Sequence, residues 1–286
     1  MHSQRPVFRA LSLPLLSLSI VLGFEHGGHH PTPVAAQADS VPAHDSFTVQ
    51  SRALGEARPV NVYVPPRFRA APEGAAERLP VLYMPDGGLD EDFPHIVQTV
   101  DSLIARRVIR PVIVVGVPNT QRRRDLTGPT RVKTDSAIAP RVGGSAAFRR
   151  FLRAELVPEI ERRYRTTKER AIIGESLAGL FIVETFLEDP SLFTHYVALD
   201  PSVWWNGGML VDSARSRLAH FDKAPRTLYL ASSREPSTSV GLARLDSLLR
   251  VTKPKGLRWR YEPRPDLEHS TIFRALEGAA LADALR

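Results

Sequence analysis

The run Gly174-Glu175-Ser176-Leu177-Ala178-Gly179 has the residue types for covalent chemistry. β-Branched Ile172 and Ile173 precede it and an apolar helical run follows, so a strand enters a sharp turn and leaves as a helix, with the serine hydroxyl at the apex. Ser176 is therefore the candidate nucleophile for acyl transfer. Small residues suit its flanks because the serine takes a strained backbone conformation and the helix must pass close to the strand. The position two after the serine, commonly glycine, is Ala178. The motif alone also fits an ordinary strand-to-helix turn, so the reading depends on whether partners exist.

A serine on such a turn needs a base and an orienting acid, which follow it in the chain order Ser, acid, His on loops after later strands. Of nine histidines, three lie beyond Ser176. His195 opens a strand, at the wrong end of the sheet, and His220 falls in a helical stretch. His269, in Glu268-His269-Ser270 after the final strand, is the expected base. For the acid, Glu235 just past the strand 227–231 is the first choice. Asp200, at the exit of the preceding strand, is the alternative, with Asp266 and Glu268 behind it, and a Ser–His pair without a strong acid is a further arrangement. The oxyanion donors expected are the N–H of Leu177 and that of Gly87 or Gly88, where Pro85-Asp86-Gly87-Gly88 exposes backbone at a strand end. A simple turn is the plainer account of those glycines.

Two further clusters sit at strand exits, where open α/β sheets bind ligands. Arg122 and Arg124, with Arg123 between them, could clamp substrate oxygens or serve as a lock onto Asp125. Trp204 and Trp205 could wall a pocket or simply pack.

The elements that must position these groups alternate. Residues 47–51 and 60–64 show strand periodicity and open the sheet as an antiparallel pair. The segment 79–84 and the run 111–117 are apolar enough for buried strands. Helices are expected over about 93–107, 146–164 (bent or broken at Pro158), 177–187, 210–221, 240–249 and from about Ile272 onward. Strands are expected over 171–174, 194–200, 227–231 and 257–261. This alternation means an α/β fold, a mostly parallel sheet with helices on both faces.

With 286 residues, no repeat and no cysteine, the chain suits one large domain and excludes a disulfide scaffold, a thiolate metal site and a cysteine nucleophile. The net charge of +7 comes from scattered arginines interleaved with acids, which favours an anionic substrate and gives hardly any support to nucleic acid as a partner. Arg5 and Arg9 precede an uncharged apolar run over 10–24, and Ala36-Gln37-Ala38 has the small-x-small pattern of a signal-peptidase site. Residues 1–38 are thus expected to be a signal peptide cleaved after Ala38, leaving 39–286 as a single catalytic domain outside the cytoplasm without a stable membrane span; an uncleaved anchor is the alternative. His26, His29 and His30 lie in the segment to be lost, so no metal role is assigned to them.

Beyond the elbow, the chain resembles the putative-esterase branch of the α/β-hydrolases over nearly all its length after the signal. Ser51-Arg52-Ala53-Leu54-Gly55-Glu56-Ala57-Arg58, the strand 79–87, the loop Asn119-Thr120-Gln121-Arg122-Arg123-Arg124-Asp125-Leu126-Thr127, residues 148–165 and 174–181, and Pro201-Ser202-Val203-Trp204-Trp205 are similar to the subgroup of siderophore trilactone esterases. The resemblance implies Ser176 as nucleophile, His269 as base and no cofactor. The chain departs from it at Ala178 and at Asp200, where serine is commoner. The expected function is a secreted or periplasmic serine esterase for a small-molecule carboxylic ester, with siderophore lactones among the candidate substrates. The rivals are an acyltransferase and a non-catalytic ligand-binding homologue.

Overall fold

The computed structural model describes residues 42–69, 77–219, 221 and 223–286. The expected signal segment and His220 lie outside them. Eight strands form one sheet in the order β1-β2-β4-β3-β5-β6-β7-β8. The strands are β1 (Asp45–Ser51), β2 (Glu56–Tyr63), β3 (Leu79–Pro85), β4 (Ile113–Val117), β5 (Thr166–Glu175), β6 (His195–Leu199), β7 (Arg226–Ser232) and β8 (Leu257–Pro263). β1 and β2 are antiparallel, as is β2 against β4, and every other pairing is parallel. The continuous apolar runs fall in the parallel middle, where both faces are covered: β3 and β4 are buried throughout, while β8 at the edge alternates.

Helices cover both faces: α1 (Phe93–Ala105), α2 (Ser145–Phe151), α3 (Val157–Arg163), α4 (Leu177–Glu188), α5 (Pro236–Thr252) and α6 (His269–Leu285). On one side Phe148, Phe151, Ile160, Phe181 and Phe186 pack on Tyr83, Ile172 and Tyr196, and on the other Phe93, Ile96, Val100, Leu276 and Leu281 pack on Leu82, Ile173 and Val197. The break expected at Pro158 takes the form of a π-helical turn, Leu152–Leu156, joining α2 to α3. A proline cannot donate to the carbonyl one turn back, and the wider turn absorbs that loss. The stretch 210–221 is two short helical pieces, Met209–Asp212 and Ala214–Leu218, rather than one helix. Among the described residues no helix is long and apolar enough to cross a membrane.

The loop leaving β4 is locked from beneath. Arg58 of β2, 1% exposed, donates to Asp125, Glu56 and Thr120 and to the Pro118 carbonyl, with its guanidinium 5.3 Å above the Phe148 ring. Asp125 is as deeply buried, so each charge depends on the other. Removing one partner of such a pair leaves a buried charge unanswered, and Arg58→Met is expected to lower stability by about 3–5 kcal/mol. The check is the shift in denaturation midpoint at unchanged m-value.

Candidate active site

Sheet register brings the site together. Glu175 ends β5 opposite Leu199 of β6, and Leu199 lies opposite Ala231 of β7. The next residues, Ser176 and Asp200, emerge side by side past the carboxyl edge. Ser176 has φ 61° and ψ −120°, and Asp200 has φ 43°, left-handed values that side chains other than glycine adopt at a cost. The elbow closes because a Cβ at Gly174 would lie 2.6 Å from the Ala178 methyl. The alanine is thus accommodated because residue 174 has no side chain.

Ser176 Oγ lies 3.1 Å from His269 Nε2, and His269 Nδ1 lies 2.6 Å from Asp200 Oδ2. The carboxylate accepts from Nδ1–H, which leaves Nε2 as the acceptor for the serine proton. Asp200 is fully buried and also accepts from the Ser233 N–H (2.8 Å) and hydroxyl (2.7 Å). Burial alone would raise its pKa, but the hydrogen bonds from His269 and Ser233 outweigh it and hold the carboxyl below its usual range. The Asp200 hydrogen bond in turn raises the His269 pKa against partial burial.

His269 is the first residue of α6 rather than part of a preceding loop. Glu268 and Thr271 form a reciprocal capping box around it, and Arg234 pairs with Glu268 at 2.9 Å. Glu235, the acid preferred from sequence, does not reach the imidazole. It is the N-cap of α5, where Pro236 starts the helix at once, and Asp200 holds the Nδ1 position instead. The reason is sheet order: β6 is hydrogen-bonded to the nucleophile strand, whereas β7 is one strand further out. A second carboxylate, overlooked in the sequence, is that of Glu175, with Oε1 3.4 Å from His269 Nδ1. Its signal was its place immediately before the serine.

The expected oxyanion donors differ in what their N–H groups already bind. Leu177 opens α4, where the first-turn N–H groups have no intrahelical acceptor. The Gly87 N–H is committed to the Val117 carbonyl, and residue 87 is glycine because a Cβ would sit 2.2 Å from Val117 N. The Gly88 N–H donates to Glu91 Oε2 at 2.7 Å, and the same carboxylate is bound by the Asn119 side chain at 2.7 Å.

The arginines divide. Arg124 is tied to Glu56 and Asp125, and its hydrogen bond holds the Glu56 carboxyl at about 2. It belongs to the lock, not to a substrate clamp. Arg122 makes a two-point contact with Asp86 at 2.8 Å for both bonds, yet remains about a third exposed and close enough for its charge to act on Glu175. Trp205 is buried, donates to the Gly128 carbonyl and lines a cavity with Leu180 and Glu184, while Trp204 is 39% exposed. Among the described residues no group of three or more His, Asp or Glu side chains is arranged to hold a metal ion.

An eight-stranded, mostly parallel sheet with a serine at the β5 elbow and a histidine and carboxylate delivered to it is an α/β-hydrolase fold. The chain belongs to the family described as "Putative esterase", whose model matches residues 51–240. It is 38% identical over 109 residues to ferri-bacillibactin esterase BesA of Bacillus subtilis, covering 34% of this chain and 38% of that protein. It is 26% identical over 206 residues to the siderophore triacetylfusarinine C esterase of Aspergillus fumigatus, covering 66% of this chain and 64% of that protein. The chain therefore spans less than two thirds of either relative. Among solved structures, an IroE-like serine hydrolase from Shewanella oneidensis superposes with a TM-score of 0.73 at 26% identity, over 85% of this chain and 78% of that one.

Proposed function

We propose that this chain hydrolyses carboxylic esters through an acyl-enzyme. The observation that carries this is the continuous hydrogen-bonded line from Ser176 through His269 to Asp200. Ser176 Oγ attacks the carbonyl carbon as His269 Nε2 takes its proton. The tetrahedral adduct collapses, the C–O bond to the alcohol breaks, and the alcohol leaves with the proton from Nε2. A water then repeats the sequence, releasing the acid and restoring the serine. The Leu177 N–H supports the oxyanion, and Gly88 supplies the second N–H once Glu91 gives it up.

The substrate proposed is a siderophore ester or lactone, in keeping with what the similar esterases are named for. Arg122 and the exposed face of Trp204 are the groups offered to its phenolate and aromatic parts. Export is supported by residues 1–38, which have the basic, apolar and small-residue order of a cleaved signal. The test is hydrolysis of p-nitrophenyl esters and then of a catecholate trilactone by the purified protein, with mass spectrometry of the products. Linear trimer and monomer from the lactone support the reading, and no ester turnover with an unlabelled Ser176 sinks it.

A further inference from the structure

Two carboxylates, not one, approach the same edge of His269. Asp200 Oδ2 lies 2.6 Å from Nδ1 and Glu175 Oε1 lies 3.4 Å from it. Glu175 comes from the residue bonded to the nucleophile, is only 18% exposed, and is held by the last rung between β5 and β6. Its position is therefore set by the same backbone that sets Ser176. We propose that Glu175 is a positioning residue, a second carboxylate that brackets the Nδ1 edge of His269 with Asp200 and stabilises the imidazolium formed during acyl transfer. This rests on the esterase reading above and assigns a residue which that reading does not need.

The surroundings define how this carboxylate behaves. Charged groups face Glu175 from each neighbouring element: His269 from α6, Asp200 from the end of β6, Arg122 from the β4 exit and Asp92 from the start of α1. Burial dominates and raises its carboxyl to about 7, with Asp92 and Asp200 adding to the rise while His269 and Arg122 oppose it. His269 is in turn acted on by Asp200, Glu175 and Glu235, all of which favour its charged form. Asp200 is ionised across the neutral range, whereas Glu175 gains its charge within it. The histidine must be neutral to accept the serine proton, so activity falls as pH drops through its pKa. That limb then carries two coupled titrations.

Glu175→Gln keeps the shape and removes the charge. With a p-nitrophenyl ester, its acid limb is expected to move to lower pH by about one unit, the shift an opposite charge at this range produces. Because one unit of imidazolium stability is a factor of ten, kcat on the plateau is expected to fall about tenfold with KM unchanged. Glu175→Asp, which restores a carboxylate, is expected to bring the limb back toward that of the parent. An unshifted limb in Glu175→Gln, or identical profiles for the two variants, overturns the inference. If Glu175→Gln does not fold, the imidazole NMR signal of His269 in the parent protein decides the matter. A second inflection near neutral pH supports the inference, and a single-proton curve overturns it. Ser176→Ala run beside these keeps the two readings apart. Undiminished hydrolysis there refutes the esterase mechanism, whereas its loss together with an unshifted limb refutes only the role of Glu175.

Discussion

Ser176→Ala is expected to reduce kcat for ester hydrolysis on the order of 10⁶-fold, about 8 kcal/mol of transition-state stabilisation. The size follows from losing the covalent route altogether, since His269 and the oxyanion donors then have only water to work with. The substitution is conservative for the fold. Alanine meets the same left-handed strain at φ 61° as serine does, and the hydroxyl's other near neighbour is Ser202 Oγ at 3.5 Å, a weak contact. Thermal unfolding is therefore expected to change little. A fluorophosphonate should form an adduct on Ser176 of the parent protein, located by mass spectrometry, and none on the variant. Labelling elsewhere with full activity retained in Ser176→Ala would defeat the mechanism.

Asp200→Asn comes next in size, with kcat expected to fall on the order of 10⁴-fold. An amide can present its N–H₂ to Nδ1, which reverses the tautomer and turns Nε2 from acceptor to donor, so the serine proton has nowhere to go. Asparagine tolerates the left-handed conformation found here at φ 43°, so the backbone remains in place. Glu235→Gln is the control, and its kcat is expected to stay at the parent level because the residue stands at the N-cap position of α5 and makes no hydrogen bond to His269. The pair of variants decides which carboxylate orients the base. A 10⁴-fold loss in Glu235→Gln with an active Asp200→Asn would reverse the assignment.

Much of the fold could be read along the chain, because the information is local. The apolar runs of β3 and β4, the elbow at Gly174 to Gly179 and the alternation of strands with helices each depend on near neighbours in sequence. The meeting of Ser176 and His269 was likewise legible, the first from its turn and the second because few histidines follow it. What was not legible depends on which strands lie next to one another and on which groups are already engaged. Asp200 and Glu235 both stand past strand ends, and only the order β5-β6-β7 separates them. Gly87 looked like an open donor, but its N–H is used by Val117 and its lack of a side chain answers to packing. Arg124 read equally as a clamp or as a lock onto Asp125, and Glu56, distant in sequence, completes the lock. Trp205 was ambiguous for the same reason, its partner being the carbonyl of Gly128.

The position of His269 at the head of α6 has a consequence for when activity is lost. Ser176 and Asp200 are built into adjacent strands at the centre of the sheet, whereas the base arrives on the final helix of the chain. That helix is held to α1 by a buried cluster in which Glu277 contacts His95 at 2.7 Å and accepts from Thr99 at 2.5 Å, and to β8 through Arg258 and Asp283. Sub-global opening that releases α6 alone would withdraw the base and leave nucleophile and acid in place. Inactivation in mild denaturant should then coincide with faster amide exchange in 269–285, at concentrations where the amides of β5 and β6 remain protected. The working state of the enzyme would be less stable than its sheet.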